Sequence, residues 1–336
     1  MSLPIYHHPS LTVLVDDSEN FLRSLSFQLD PTLASVSFHD ISSALAWLSR
    51  QTGTPGQAEG ALSASFDTYP RKTTQCNVAL DLEQIHRISF EARRFLTPSV
   101  LVVDYSMPQM NGVELCEAVR HLPCKKILFT GAADEKVAVD AFNRGLIDRY
   151  IKKSDENALD RLESEIHALQ REYFSARSEP LRDLLALHSY SFVADPAVAT
   201  LVRELVAEHG IVEHYLYPDP AGLLMYDTEG RAMLLVVETE AGMNAHYEIA
   251  NDNAAPQSLL DALQERRVIP YFHDGDGMYM EAFANGWHKY IEPAHVCRGE
   301  QNYFWALFKL EAGVIANETY SYNDFLRTHQ GPQQMR

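Results

Sequence analysis

Short apolar runs and amphipathic stretches alternate along the first half of the chain. Leu11–Val15 and Val100–Val103 are almost entirely aliphatic, and such short runs are typical of strands that are buried on both faces of a parallel sheet. Between them, Leu22, Leu25 and Leu29 recur at helical spacing. Strands that alternate with helices in this way predict an α/β fold with a doubly wound parallel sheet.

Three further strands complete a five-stranded sheet. The runs Leu33–Phe38, Lys125–Thr130 and Ile147–Lys153 are also predicted to be strands, and helical spacing recurs in Ile41–Leu48 and Val137–Phe142. We therefore expect one domain over 1–155 that is built on this sheet.

Acidic residues follow two of the predicted strands. Asp16 and Asp17 come directly after the first strand, and Asp104 comes after the run that ends at Val103. The carboxyl ends of parallel strands meet at one edge of the sheet, where such folds place their chemistry. Neighbouring carboxylates repel each other unless a cation shares them, and hard oxygen ligands suit Mg²⁺. The alternative is that Asp16 and Asp17 only begin a solvated helix.

Two other strand ends carry groups that suit an anion. Thr130 ends a strand, and the small residue Ala132 leaves room beside its hydroxyl. Lys152 and Lys153, which face opposite ways, end the last strand. Taken alone, a threonine in this position is commonly a helix cap or a turn former.

The pattern Asp104-x-x-Met107-Pro108-x-Met-x-Gly112 resembles the phosphoacceptor strand and loop of response-regulator receiver domains, the CheY-like domains of two-component systems. The resemblance covers roughly residues 9–155. It implies that Asp104 accepts a phosphoryl group from a sensor histidine kinase. It further implies a Mg²⁺ cofactor held by Asp17, Asp104 and a backbone carbonyl near Ser106, with Asp16 assisting through water, and it assigns phosphate binding and switching to Thr130, Ala132, Tyr150 and Lys153.

The chain departs from this family in two places. The interval between Asp16 and Asp104 is longer than in an ordinary receiver, so about 50–97 is predicted to be an insertion. It begins with a Gly-, Ala- and Ser-rich stretch, 51–65, that favours a mobile loop. Its second part favours an amphipathic helix that packs on the domain or on a partner. Ser154 replaces the proline that usually follows the lysine, so the cis peptide bond common at this point is not implied.

A long helix is predicted over 154–180. Apolar residues recur at spacings of three and four, which is a heptad seam, and Pro180 is expected to end the helix. The seam consists of Leu159, Leu162, Ile166, Leu169 and Tyr173. The helix either bridges rigidly to the next domain or pairs with a second copy, which would give a homodimer through 155–177.

The second half reads as an α+β output domain over 181–330. Short strands separated by the turn sequences 218–222 and 227–230 predict an antiparallel meander. The chain carries a formal net charge of -18, of which residues 180–336 contribute -12, with 22 acidic against 10 basic residues. Because DNA binding relies on basic residues, direct DNA binding is disfavoured.

The output domain carries no recognisable catalytic motif. Asp227, Glu238 and Glu240 lack the nearby lysine of a nuclease core, and no Walker loop is present. We therefore expect a non-enzymatic regulator that signals through an altered protein interface to a downstream protein target. The alternative is an output domain that is itself a nucleotide-binding or hydrolytic enzyme. The run 142–155 and the overall layout also resemble response regulators of the α-hydroxyketone quorum-sensing type.

Cysteine content and hydropathy bear on the cellular location. The four cysteines are widely spaced and indicate neither a zinc site nor a disulfide framework. No apolar run approaches the roughly 20 residues of a membrane span, and no secretory leader is evident. We expect a cytoplasmic protein that does not associate with membranes.

Overall fold

The computed structural model describes residues 3–51, 62–68, 74–131, 135–186, 190–275, 277–311, 313–314 and 320–329. In chain order the strands are β1 (Tyr6–His7), β2 (Leu11–Val15), β3 (Ser35–Phe38), β4 (Leu62–Thr68), β5 (Thr74–Leu80), β6 (Pro98–Val103), β7 (Lys125–Thr130), β8 (Arg149–Lys152), β9 (Ile211–Tyr217), β10 (Gly222–Asp227), β11 (Ala232–Thr239), β12 (Val268–Pro270), β13 (Ile291–Pro293), β14 (His295–Arg298) and β15 (Asn302–Lys309). The helices are α1 (Glu19–Gln28), α2 (Ile41–Arg50), α3 (Glu83–Arg87), α4 (Gly112–Ala118), α5 (Glu135–Asn143), α6 (Ala158–Leu185), α7 (Pro196–His209), α8 (Glu240–Asp252), α9 (Gln257–Gln264) and α10 (Tyr322–His329).

The parallel-sheet unit comprises His8–Gln57, Glu91–Ala176 and Tyr322–Arg336, as far as they are described. Its five strands are parallel and lie in the order β3-β2-β6-β7-β8. This order reverses beside β2, as in doubly wound folds. The predicted five-stranded sheet is therefore confirmed.

Helices α1 and α6 cover one face of the parallel sheet. Their apolar side chains share a buried core with alternate residues of the strands, which is why β2, β6 and β7 are apolar along most of their length. The core consists of Leu14, Leu22, Leu25, Leu29, Leu33, Val100, Val102, Ile127, Phe129, Ile151, Ala158, Leu162, Ile166 and Leu169.

The long helix differs from the prediction at both ends. It begins at Ala158 and continues through Pro180 to Leu185, whereas the sequence predicts an end at Pro180. Burial of Leu181 and Leu185 offsets the cost of a proline inside a helix. The predicted seam packs into the core of its own sheet from Leu159 to Leu169, so those residues are not available to a second copy of the chain.

The antiparallel-sheet unit comprises Met1–His7, Ala58–Phe90 and Arg177–Ser321, as far as they are described. Its six strands lie in the order β1-β9-β10-β11-β15-β14 and pair antiparallel. The predicted meander, β9 to β11, is confirmed. Strand β1 from the N-terminus extends the sheet beside β9, a pairing that the sequence analysis does not foresee.

The described part of the insertion belongs to the antiparallel-sheet unit. Strands β4 and β5 pair as a hairpin, so residues 62–65 are in a strand rather than in the expected loop; residues 52–61 lie outside the described residues. After the hairpin, the His86 ring lies 5.1 Å from the Tyr217 ring, and the hydroxyls of Ser89 and Tyr226 are 3.3 Å apart. The insertion thus packs on strands of the C-terminal half.

None of the helices in the described part of the chain combines the length and the hydropathy of a membrane span.

Cys116, Cys124 and Cys297 are free thiols, and burial raises the pKa of the Cys116 thiol to about 12.

Candidate functional site

The candidate site lies at the carboxyl ends of four strands in the parallel-sheet unit. Asp16 follows β2, Asp104 follows β6, Thr130 ends β7 and Lys153 follows β8. Backbone hydrogen bonds hold neighbouring strand ends in register: the Asp104 N–H donates to the Val15 carbonyl at 2.9 Å, and the Lys153 N–H donates to the Thr130 carbonyl at 3.0 Å. The sheet therefore brings these side chains to one edge.

A single ammonium joins the two buried acids. Lys153 Nζ donates to Asp16 Oδ2 at 2.5 Å and to Asp104 Oδ1 at 2.6 Å. The side chains of Asp16 and Asp104 are only 6% and 8% exposed, and that of Lys153 is 20% exposed. With both acids ionised, two negative charges face one positive charge, so the cluster retains an excess negative charge that favours a further cation.

Backbone amides orient both carboxylates. Asp104 Oδ2 accepts a hydrogen bond from the Ser106 N–H at 2.7 Å. Asp16 Oδ1 accepts one from the Ser18 N–H at 2.9 Å, and Ser18 is the N-cap of α1. Each acid therefore has one oxygen fixed by the backbone and the other bound to Lys153.

Gly112 permits the loop after Asp104 to fold back. A Cβ atom at this position would lie 2.2 Å from the backbone oxygen of Asp104, so any other residue would displace one of the two. Asn111 and Glu114 form a capping box that begins α4 at this point. Gly112 is the last residue of the pattern that begins at Asp104, and the structure shows that it is required for close backbone approach.

The other predicted site residues have varied surroundings. Thr130 is buried, Tyr150 lies half-buried on β8, and Asp17 and Ser106 are exposed. Ala132 lies outside the described residues. The structure therefore links Asp16, rather than Asp17, to Asp104 through the Lys153 ammonium.

The donor set of this cluster fits Mg²⁺. In the described part of the chain, no group of three or more acidic, histidine or cysteine side chains is arranged around a common metal position. Magnesium, however, commonly uses one or two carboxylates and completes its shell with water and phosphate oxygens. Asp16 and Asp104 supply two such carboxylates, and Asp17 and the Ser106 carbonyl lie next to them in sequence.

Phe21 is a site residue that is not predicted from the sequence. Its ring lies 4.1 Å from Lys153 Nζ, and the Phe129 ring lies 5.9 Å from it. Both rings line a small cavity together with Asp16 and Asp104. The sequence feature that could have indicated Phe21 is an aromatic residue about one helical turn after an acid pair that follows a strand.

Among the described residues of the antiparallel-sheet unit, Asp227, Glu238 and Glu240 do not gather into a comparable site. Asp227 accepts hydrogen bonds from Glu229 and Arg231 within a turn. Glu238 pairs with the buried His246 at 3.1 Å, and Glu240 pairs with Arg266 at 2.7 Å. Each of these acids has a local structural partner, as capping and turn acids commonly do.

Comparisons with known proteins identify similar chains. The family model described as the response regulator receiver domain matches residues 72–163, a range that includes Asp104, Thr130 and Lys153. The structure of the Legionella pneumophila response regulator LqsR is 33% identical, with 97% of each chain covered and a TM-score of 0.76. A CheY-like receiver domain protein from Methanospirillum hungatei JF-1 is 18% identical, and the match covers 50% of this chain and 98% of that one with a TM-score of 0.34. A comparison with curated protein sequences gives no match.

Proposed function

The chain belongs to the response-regulator family, and from this premise we propose that Asp104 accepts a phosphoryl group from a sensor histidine kinase. The observation that carries the proposal is the sharing of the Lys153 ammonium between Asp104 and Asp16. This arrangement supplies a carboxylate nucleophile, a fixed positive charge beside it and a second acid for a divalent cation, which together are what phosphoryl transfer requires.

The Asp104 carboxylate acts as the nucleophile. Its oxygen attacks the phosphorus of a phosphohistidine, the new P–O bond forms while the P–N bond breaks, and the imidazole leaves and takes up a proton. The Ser106 N–H, 2.7 Å from Oδ2, holds the carboxylate in one orientation. Lys153 pairs with the negative charge of the phosphoryl oxygens as transfer proceeds.

Asp16 and Asp104, with Asp17 and the Ser106 carbonyl nearby, would hold Mg²⁺. The ion supplies charge neutralisation for the phosphoryl oxygens. Asp16 accepts a hydrogen bond from Lys153, so a cation held by Asp16 would compete with the lysine for this carboxylate.

Thr130 and Tyr150 are the proposed switch residues. Thr130 ends the strand next to Asp104, and its backbone carbonyl accepts the Lys153 N–H. A phosphoryl group on Asp104 gives the Thr130 hydroxyl a charged acceptor, and its movement lets Tyr150 repack. The change is a population shift driven by new charge-assisted hydrogen bonds. Ala132 is proposed to leave space beside Thr130.

The output is proposed to be an altered protein interface that acts on a downstream protein target. The net charge of the C-terminal half and the local pairing of Asp227, Glu238 and Glu240 support this reading over DNA binding. We place the signal in quorum sensing, because the run 142–155 resembles regulators of that type.

A dimer through 155–177 would have to use the polar face of α6, and light scattering with and without beryllofluoride tests it.

Phosphorylation by a small phosphodonor tests the function. Purified protein is incubated with acetyl phosphate and Mg²⁺, and phosphoprotein is quantified on a phosphate-affinity gel. We expect labelling of the wild type, loss of labelling with chelator or in Asp104→Asn, and normal labelling in the control Asp140→Asn, which changes an exposed acid on α5. An unlabelled wild type would overturn the proposal.

A thermal-shift screen with nucleotides, combined with a nuclease assay, tests the alternative of an enzymatic output domain.

A further inference from the structure

The Lys153 ammonium has an aromatic ring on one side and two carboxylates on the other. Its Nζ lies 4.1 Å from the centroid of the Phe21 ring and within hydrogen-bond distance of Asp16 and Asp104. An ammonium within about 6 Å of an aromatic face is attracted by the ring quadrupole, and the attraction is stronger where water is excluded. The largely buried Lys153 side chain meets both conditions.

The start of α1 fixes Phe21 in this position. The Phe21 N–H donates to the hydroxyl of Ser18 at 3.3 Å, and the Ser18 N–H donates to Asp16 Oδ1 at 2.9 Å. The ring also packs against Phe129, with the two centroids 6.1 Å apart. The short segment from Asp16 to Phe21 therefore positions both the acid and the aromatic ring that contact Lys153.

We propose that Phe21 is a positioning residue that holds the Lys153 ammonium at the site when a cation takes over Asp16. This inference rests on the proposed function, because it concerns the lysine that pairs with the phosphoryl group. A cation bound by the carboxylates would compete with Lys153 for Asp16 and would repel the ammonium. The Phe21 face offers a partner that a cation on the carboxylates does not remove, so the lysine stays beside Asp104.

Nuclear magnetic resonance reads this contact directly. In protein with ¹³C-labelled lysine, the ε-methylene protons of Lys153, assigned by their loss in Lys153→Arg, should be shifted upfield by the Phe21 ring. The shift should persist when Mg²⁺ alone is added. Phe21→Leu removes the ring but keeps an apolar side chain, and Phe21→Tyr restores the ring. Phe27→Leu makes the same change on an exposed residue of the same helix and is the matched control.

We expect Phe21→Leu to abolish the upfield shift and to slow phosphorylation by acetyl phosphate roughly three- to thirtyfold, the range that a cation–π contact supplies. Phe21→Tyr and Phe27→Leu should retain both properties. An unchanged lysine signal in Phe21→Leu, or a Phe21→Tyr variant as slow as Phe21→Leu, would overturn the inference. If Phe21→Leu does not fold, absence of an upfield shift in the wild type overturns it, and persistence of that shift in Phe21→Tyr supports it. If the wild type shows the upfield shift but is not phosphorylated, the proposed function is contradicted, whereas the contact between Phe21 and Lys153 is still supported.

Discussion

Lys153 donates a hydrogen bond to Asp16 at 2.5 Å with the same ammonium that lies 2.6 Å from Asp104. One ammonium therefore serves both acids. A divalent cation held by these carboxylates, as proposed, would compete with Lys153 for them, and this relationship leads to a first prediction.

Replacing Lys153 with Met should raise the affinity of the unphosphorylated protein for Mg²⁺ about tenfold, because a neighbouring positive charge opposes cation binding and is worth roughly 1–3 pKa units beside a carboxylate. Isothermal titration calorimetry measures the change. Lys152→Met, which changes the neighbouring lysine on β8, is the control and should bind Mg²⁺ like the wild type. Equal dissociation constants for Lys153→Met and wild type would show that Lys153 does not compete for the acids.

Gly112→Ala should destabilise the parallel-sheet unit by roughly 1–3 kcal/mol, the usual cost of forcing extra atoms into a packed region. The added Cβ would lie 2.2 Å from the Asp104 backbone oxygen, so phosphorylation should fall as well. Urea unfolding measures the stability. Gly286→Ala is the control, since no atom of the described residues lies within 4 Å of a Cβ built there. Equal midpoints for the two variants would contradict the close approach.

Tyr322→Phe should destabilise the protein by about 1–3 kcal/mol, because it leaves buried backbone groups without their partner. The Tyr322 hydroxyl donates to the Thr32 carbonyl at 2.5 Å and accepts from the Ala34 N–H at 3.2 Å. Tyr290→Phe, which loses a hydroxyl bonded to the exposed Asp274, should cost less than about 1 kcal/mol. Urea denaturation compares them, and a loss in Tyr290→Phe that equals the loss in Tyr322→Phe would argue against a role for α10 in the parallel-sheet unit.

His214 should make stability fall with decreasing pH. Burial lowers the pKa of its imidazole to about 4, and the ring lies 3.0 Å from the Pro4 carbonyl. The folded state thus favours the neutral ring. The resulting contribution to the free energy of unfolding is complete above about pH 6.5 and is lost as the pH falls towards about 4. The total loss is roughly 3 kcal/mol.

Urea unfolding across this pH range tests the His214 prediction. The stability of His214→Gln should depend less on pH than that of the wild type, while the exposed control His288→Gln should follow the wild type. Parallel curves for wild type and His214→Gln would contradict the assignment.

The sequence predicts those features that depend on local pattern and strand direction. Apolar runs mark the central strands β2, β6 and β7 of the parallel sheet, and an acid after such a run has to lie at the carboxyl edge of the sheet. The structure brings Asp104 and Lys153 together at this edge. The sequence does not show which of Asp16 and Asp17 faces Asp104. The side chains of adjacent residues at a strand end point in different directions, and the following turn decides these directions.

Features that depend on packing between distant segments carry no local signal. The two-residue strand β1 joins β9 through backbone pairing, and α10 joins the parallel-sheet unit through Tyr322. The continuation of α6 through Pro180 reflects burial beyond the proline. The contact of Phe21 with Lys153 joins the first helix to the last strand of the sheet, so neither residue indicates it alone.

The most direct test of the account is to locate the phosphoryl group. Protein treated with acetyl phosphate and Mg²⁺ is reduced with borohydride, which converts a phosphoaspartate to homoserine, and its peptides are analysed by mass spectrometry. The account predicts homoserine at position 104 and at no other acid, with none in untreated protein. Unmodified Asp104 in treated protein, or homoserine at Asp16 or Asp17 instead, would contradict it.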